Sequence, residues 1–152
     1  MSETANSPSP TKSDVGTDIT LLGDEHVRRY RETDGEVGYL WNGATALLLT
    51  TKGRKSGEDR TIPIIFKQVG QRYAIIASKG GAPTHPAWFL NVQDDPHVTL
   101  QIKGETFAGI ARVAVSPERE ELWNASLEQW PNYDLYQSRT ERVIPVVVVE
   151  RA

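Results

Sequence analysis

Four cationic side chains lie close together between two apolar segments of the chain, where they could bind an anion. They are Lys52, Arg54, Lys55 and Arg60, with Ser56 and two glycines among them. Guanidinium groups bind phosphate or carboxylate through paired hydrogen bonds, a Ser hydroxyl adds a donor, and glycines let backbone N–H groups approach a ligand. The segment therefore predicts an anion site at the tip of a strand-turn-strand unit. A solvated turn whose charges only aid solubility is the alternative.

A second segment, 75–91, places a hydroxyl, a cation and two glycines directly after a buried strand. Ser78, Lys79, Gly80 and Gly81 predict a turn, and Pro86 predicts the first position of a short helix. The turn and the helix N-terminus together offer N–H groups to a polar heterocycle. A plain connector, in which the two glycines only permit the turn, is the alternative.

Three aromatic residues near the C-terminal end could stack on a flat ligand. Trp130, Tyr133 and Tyr136 are spaced three apart, which puts them near one face of a helical turn. Such a stripe is more often part of a core. Polar residues surround this one, however, so a lid over a ligand is the second interpretation.

Strands joined by tight turns must position these segments. β-rich runs predict strands at 44–51, 60–69, 72–78, 98–102, 105–115 and 143–150. Short turns at 69–72 and 103–105 favour antiparallel pairing. Helices are predicted at 19–31 and 86–92, and a third has Ser116 as N-cap and an apolar face that reaches Trp130. The order predicts a mainly β fold with flanking helices, a small barrel or split barrel rather than a doubly wound sheet.

Composition excludes several classes of function. The 152 residues carry a formal net charge of −3, which argues against general nucleic-acid binding. Without Cys there is no disulfide, thiolate ligand or Cys nucleophile, and the three scattered histidines predict no metal site. Dinucleotide, phosphate-loop, hydrolase and zinc-protease motifs are also missing, so an enzyme of this sequence would take its chemistry from an organic cofactor.

The chain is long enough for one domain with a real core. We expect a disordered tail at 1–18, a helix and loop at 19–43, and a single domain at 44–152. No signal peptide or spanning apolar run is evident, so we expect a cytoplasmic protein. The cationic helix near the N-terminus leaves weak peripheral membrane association open, although packing beside the domain is favoured.

Four motifs together resemble the deazaflavin-dependent nitroreductase family, whose members use coenzyme F-420. They are G-R-x-S-G at 53–57, A-S-K-G-G at 77–81, P-x-W-x-x-N at 86–91 and Y-x-x-Y-Q-S at 133–138. They occur in the family's order and spacing between about residues 47 and 150. The resemblance implies a split β-barrel of the flavin-binding type. It also implies a reductase that passes hydride from reduced coenzyme F-420 to a quinone, an enone or a nitroaromatic compound.

The resemblance also implies roles for individual residues. The cofactor carries an acidic tail, a phosphodiester followed by γ-linked glutamates, which suits the cationic turn. Ser78, Tyr133 and Tyr136 would act as catalytic residues that face the acceptor, with Tyr133 or Ser78 polarising its carbonyl and a Tyr or water supplying the proton. No metal is expected. The implied cofactor-binding residues are Lys52, Arg54, Lys55, Ser56, Arg60, Thr61, Ile62, Pro63, Ile64, Ile65, Ile76, Ala77, Ser78, Lys79, Ala87, Trp88, Phe89, Leu90, Asn91 and Tyr133.

Two other functions stay open at this point. One is an oxidoreductase of the same barrel that binds flavin mononucleotide, against which the extended cationic turn and the A-S-K-G-G motif weigh. The other is a carrier that stores the deazaflavin without catalysis, against which the tyrosine pair weighs. The resemblance leaves the oligomeric state open.

Overall fold

The structure is a computed structural model that describes residues 21–152. The tail predicted at 1–18 and the first two residues of the helix predicted at 19–31 lie outside the described residues. The chain divides into two compact units. The first comprises residues 21–50 of the described chain with Thr61–Ile65 and Thr99–Phe107, and the second comprises Thr51–Arg60, Phe66–Val98 and Ala108–Ala152.

Strands account for most of the regular structure in residues 21–152. They are β1 (Leu40–Trp41), β2 (Ala44–Lys52), β3 (Asp59–Ile65), β4 (Lys67–Val69), β5 (Arg72–Ile76), β6 (His97–Ile102), β7 (Glu105–Val113) and β8 (Val146–Arg151). The helices are α1 (Gly23–Thr33), α2 (Ala87–Asp94), α3 (Glu118–Leu127) and α4 (Asn132–Ser138). The five strand pairs whose register is defined are all antiparallel, as predicted. The prediction of a mainly β fold with flanking helices is confirmed.

The strand predicted at 60–69 is wrong in one respect, because it breaks into β3 and β4 at Phe66. The Phe66 side chain is buried, and its carbonyl accepts a hydrogen bond from Nε2 of Gln129 at 2.7 Å instead of joining a strand ladder. The strand predicted at 143–150 begins only at Val146, because the amide of Ile144 donates to Oε1 of Gln137 at 2.9 Å. Side-chain acceptors and donors thus end strands where apolar patterns alone would extend them.

The third predicted helix also needs correction. It ends at Leu127 and does not reach Trp130, and a separate short helix, α4, begins after Pro131. Ser116 is not its N-cap: Pro117 occupies that position, and the Ser116 hydroxyl donates to Oε2 of Glu120 at 2.9 Å. The chain turns before Trp130, which therefore lies outside α3.

In the first unit, α1 is held by its buried face. Tyr30 is fully buried, and its hydroxyl donates to the carbonyl of Ala46 at 3.1 Å and accepts from the amide of Lys103 at 2.8 Å. Burial raises the pKa of Tyr30 to about 12. The buried His26 forms a 2.9 Å hydrogen bond between Nε2 and the carbonyl of Gly38. Helix α1 is thereby bonded to β2 and to the turn after β6.

In the second unit, strands pair in the order β7-β8-β5-β4. All four valines of β8 are buried, and Val146 and Val148 pack in one cluster with Leu122 of α3 and Tyr133 of α4. Apolar residues on both elements supply this core because burial of their surface is the main favourable term in folding. The core positions α4 beside the end of β5.

An ion-pair network joins α3 to this sheet. Glu118 accepts from Nη1 of Arg112 at 2.7 Å and from Nη1 of Arg72 at 3.0 Å. Arg72 also pairs with Glu121 at 2.9 Å, and Arg112 pairs with Glu150 at 3.2 Å. The hydrogen bonds from Arg112 and Arg72 lower the pKa of Glu118 to about 2.

Candidate functional site

The cationic segment forms the loop between β2 and β3, residues 53–58, which we call the basic loop. The amide of Gly53 donates to the carbonyl of Glu58, and the amide of Gly57 donates to the carbonyl of Gly53, both at 2.8 Å. The Ser56 hydroxyl accepts from the amide of Glu58 at 3.1 Å. Strand β3 pairs with β2, which confirms the predicted strand-turn-strand unit.

Three cations of this region carry no counter-ion. Arg54, Lys55 and Arg60 are exposed, and within residues 21–152 no carboxylate lies within ion-pair distance of them. Lys52 differs, because its Nζ lies 3.5 Å from Oδ1 of Asp59. Arg54 and Lys55 of the basic loop and Arg60 at the start of β3 therefore present three positive charges without a carboxylate partner among residues 21–152, and a polyanionic ligand would find partners there.

The basic loop is anchored to helix α2 by Asn91. Its Oδ1 accepts from the amide of Arg54 at 3.2 Å and from Nη1 of Arg54 at 2.9 Å, and its Nδ2 donates to Oγ1 of Thr51 at 3.1 Å. Asn91 and Thr51 are only 4% and 2% exposed. Sequence reasoning assigned Asn91 to cofactor binding, whereas its side-chain amide is committed to the loop that bears the cations.

The turn after β5 has the backbone conformation of an anion-binding nest. Ser78 is right-handed, with φ −81°, and Lys79 and Gly80 follow with φ 47° and 64°. The change from a right-handed to a left-handed residue at Ser78 and Lys79 points their N–H groups to one side of the chain. Gly81 lies directly on α4, because a Cβ there would stand 2.6 Å from the carbonyl oxygen of Tyr136. The turn, residues 78–82, is thus pressed against the helix that carries the tyrosines.

Sequence reasoning missed the cations that hold this turn. Arg142, between α4 and β8, donates to the carbonyls of Ser78 and Ala82, both at 2.8 Å. Arg139 donates to the carbonyl of Gly80 at 3.2 Å and lies 5.6 Å from the ring centroid of Tyr136. A run of polar residues such as 137–142 gives no periodic signal, so only the fold could reveal these contacts.

His85 also has a defined partner, which the sequence analysis did not predict. Its Nδ1 lies 3.1 Å from Nη1 of Arg142, and its ring is 4.8 Å from the ring of Phe89. Burial first, and then the charge of Arg142, lower the pKa of His85. Two residues before α2, it connects the helix to the turn through Arg142.

The two tyrosines lie together but in different surroundings. Tyr133 is buried in the core of the second unit, and burial raises its pKa. Tyr136 is half-buried, its ring centroid is 6.2 Å from that of Tyr133, and its hydroxyl is 3.4 Å from Nε1 of Trp130. The core interpretation of the aromatic stripe therefore describes Tyr133, while Tyr136 remains accessible beside the turn.

The other candidate residues differ in exposure. Ile76, Ala77, Trp88 and Phe89 are buried, Leu90 is half-buried and Ala87 is exposed. The residues Thr61–Ile65 of β3 are half-buried and belong to the first unit. Within the second unit, the basic loop attaches to α2 through Asn91, and the turn attaches to the segment before α2 through Arg142 and His85.

Neither a metal centre nor a spanning helix is found in the described part of the chain. No three His, Asp or Glu side chains among residues 21–152 are grouped so that they could hold a metal ion. Over the same residues, every helix is too short or too polar to cross a membrane.

Comparison with known proteins points to one family. The family model described as "F420H(2)-dependent quinone reductase" matches residues 22–151. A protein of Mycobacterium tuberculosis strain H37Rv named F420H(2)-dependent quinone reductase is 38% identical over 141 residues, which cover 90% of this chain and 93% of the relative. A second protein of that strain, named putative F420H(2)-dependent quinone reductase, is 33% identical over 103 residues, 68% of this chain and 87% of the relative.

Two solved structures are also similar to this chain, one in sequence and fold and the other in fold alone. A structure described as that of an F420-H2 dependent reductase, FDR-A, is 40% identical, with a TM-score of 0.65 over 69% of this chain and 93% of the other. The haem storage protein HutZ of Vibrio cholerae is 14% identical with a TM-score of 0.56 over 87% of this chain and 92% of the other, a likeness in fold alone. The fold class predicted from the sequence is confirmed.

Proposed function

Because the chain belongs to the F420H(2)-dependent quinone reductase family, we propose that it is an oxidoreductase that transfers hydride from reduced coenzyme F-420 to a quinone. The observation that carries the proposal is the basic loop. Together with Arg60 at the start of β3, it presents three cations that have no carboxylate partner among residues 21–152, and Asn91 fixes its first residues to α2. A ligand with a phosphodiester and several carboxylates has the charge and length to engage such a row of cations.

The residues of the second unit fit this cofactor. Arg54, Lys55 and Arg60 would bind its acidic tail, and Ser56 adds a hydroxyl beside them. The nest at Ser78 offers backbone N–H groups to the carbonyl oxygens of the flat ring system. When bound in its reduced form, the deazaflavin supplies a hydride from C5 of its ring.

The acceptor side would be formed by half-buried groups beside the turn. We assign Ser78 to donate a hydrogen bond to the acceptor carbonyl, and Tyr136 to supply a proton directly or through water. We assign Tyr133 to hold the ring of Tyr136 rather than to transfer a proton, because it is buried in the core and its pKa is raised. A cofactor role for Thr61–Ile65, which are half-buried in the first unit, is proposed from the family resemblance alone.

The proposal extends to enones and nitroaromatic compounds as further acceptors, since each has an electrophilic centre that can accept hydride. It also places the protein in the cytoplasm, which the lack of Cys supports. Flavin mononucleotide has a single phosphate and would leave most of the cationic row without a partner. A carrier would bind the deazaflavin in the same way and differ only in turnover.

The test is anaerobic oxidation of reduced coenzyme F-420, followed by its absorbance, with menadione and cyclohexenone offered separately. Reduced flavin mononucleotide serves as the control donor. We expect turnover of menadione with the deazaflavin alone. Tight binding of F-420 without turnover of either acceptor would replace the reductase by a carrier, and turnover with the flavin alone would refute the cofactor assignment.

A double substitution tests the basic loop. We expect Arg54→Ala with Arg60→Ala to abolish binding of F-420, and Tyr136→Ala to retain it while slowing turnover. Arg28→Ala with Arg29→Ala removes the same formal charge from α1, where Arg28 is exposed and Arg29 is half-buried, and is the control for charge. If the loop variant binds F-420 as tightly as this control, the cationic-tail assignment is wrong.

A further inference from the structure

Arg142 donates hydrogen bonds to four acceptors that all lie in the segment between β5 and α2, about 60 residues away in the chain. Its Nε bonds to the carbonyl of Ala82 at 2.8 Å and its Nη2 to that of Ser78 at 2.8 Å. Its Nη1 reaches the carbonyl of Ala77 at 3.3 Å and Nδ1 of His85 at 3.1 Å. One guanidinium therefore joins the end of β5, both ends of the turn and the segment before α2.

The side chain is placed by its own surroundings. The carbonyl of Arg142 accepts from Nε2 of Gln137 at 2.8 Å, and its amide donates to Oγ1 of Thr140 at 3.3 Å. Arg142 is half-buried, and no carboxylate of residues 21–152 pairs with it. Burial accordingly lowers its pKa. All the hydrogen bonds that this partly buried cation donates go to backbone carbonyls and one imidazole. It therefore fixes the positions of those groups and is not part of an ion pair.

We propose that Arg142 is the positioning residue of the turn at 78–82, fixing its carbonyls so that the Ser78 hydroxyl and the nest amides face the deazaflavin. This inference rests on the proposed function. The part of it that concerns the shape of the turn applies to the ligand-free protein as well. In that turn, the Ser78 carbonyl accepts from Arg142 and also from the amide of Gly81, at 2.9 Å. Without the guanidinium, the backbone of the turn keeps its own two internal hydrogen bonds and the single bond from Arg139, and the Lys79 side chain keeps its bond to Oγ1 of Thr84.

The same contact fixes the proton of His85. Because Nη1 of Arg142 donates to Nδ1, the neutral imidazole carries its hydrogen on Nε2. Arg142 is the charged group that faces this ring, and its charge opposes protonation of His85. The tautomer of His85 is therefore a spectroscopic reporter of whether Arg142 is in place, independent of any cofactor.

The first experiment uses the ligand-free full chain with Arg142→Gln, Arg142→Lys and a control, Arg119→Gln. Arg119 donates to the carbonyl of Ile144 at 2.7 Å, so the control removes a guanidinium-carbonyl bond from the same segment without contacting the turn. In Arg142→Gln we expect the amides of Gly81 and Ala82 to exchange hydrogen roughly tenfold faster. We also expect the titration midpoint of His85, followed by imidazole NMR signals, to rise, and both readouts to be unchanged in the control.

The second experiment measures the Kd of oxidised coenzyme F-420 for the same proteins. We expect Arg142→Gln and Arg142→Lys both to weaken binding roughly tenfold or more, because a displaced turn loses binding geometry and one ammonium cannot serve four acceptors. Lys should keep part of the effect on His85, since the charge remains. Equal binding by the parent and Arg142→Gln, or unchanged exchange and His85 titration in that variant, overturns the inference.

Failure of the proposed function looks different. If the parent itself does not bind F-420, the cofactor assignment fails and with it the cofactor half of this inference. The exchange and NMR results still decide whether Arg142 fixes the turn. Circular dichroism and thermal unfolding of each variant confirm that a loss of binding is not a loss of fold.

Discussion

Replacing Asn91 with Ala should both destabilise the protein and weaken binding of F-420, because this side chain joins the basic loop to α2. The substitution removes three hydrogen bonds: two from Arg54 to Oδ1 and one from Nδ2 to Oγ1 of Thr51. An intramolecular hydrogen bond contributes about 1 kcal/mol net to the free energy of unfolding, so the loss of three lowers it by about 3 kcal/mol. Ala is a better helix former than Asn by roughly 0.5 kcal/mol, so the expected net loss is about 2.5 kcal/mol.

The assay is equilibrium unfolding in urea followed by circular dichroism, with the Kd of F-420 measured on the same samples. Asn124→Ala is the matched control, because it makes the same change at an exposed position in the middle of α3. Asn91→Asp keeps a side-chain oxygen that can accept both hydrogen bonds from Arg54, and the Thr51 hydroxyl can then donate instead of accept. This variant should therefore lose less stability than Asn91→Ala. If the free energies of unfolding of Asn91→Ala and Asn124→Ala differ by less than about 0.5 kcal/mol, Asn91 does not anchor the loop.

Two further substitutions test the surroundings of the site. Gly81→Ala should lower the melting temperature more than Gly80→Ala, because only the former puts a Cβ 2.6 Å from a backbone oxygen, that of Tyr136, while both strain a positive φ; equal losses would show that the turn does not lie against α4. Glu118→Gln should flatten the acid dependence of the melting temperature. A carboxyl with its pKa lowered from 4.5 to about 2 stabilises the fold above pH 4.5, and this contribution is lost as pH falls towards 2. Glu120→Gln on the same helix is the control, and equally steep acid curves for Glu118→Gln and the parent would contradict the assignment.

The elements of the fold could be predicted where local chemistry alone decides them. The turn at 69–72 pairs Val69 with Arg72 as expected, and the helix predicted to end at residue 31 ends two residues later at Thr33, where Asp34 caps it with φ 52°. Prediction failed where a distant partner intervened. Phe66 breaks a strand because Gln129, 63 residues away in the chain, takes its carbonyl. No local pattern contains that bond.

The site divides in the same way. The cations of the basic loop were recognisable because charge, Ser and Gly are properties of the sequence itself. That Asn91 anchors the loop, and that Arg142 holds the turn, depends on contacts across 37 and 64 residues. The spacing of Tyr133 and Tyr136 correctly placed them on one helix but could not say which of them is buried in the core.

Tyr30 bears on how the protein can be shortened or fused. Its hydroxyl satisfies the carbonyl of Ala46 and the amide of Lys103, so α1 is part of the hydrogen bonding of the first unit rather than an appendage to it. Removing the helix would leave both backbone groups without their partner and uncover the apolar side of Leu48, which packs with Tyr30 and Val27. The buried Leu21, whose carbonyl accepts from Nε1 of Trp41 at 2.9 Å, belongs with this helix, so the smallest self-sufficient fragment begins at or before Leu21 and an N-terminal affinity tag belongs ahead of that residue.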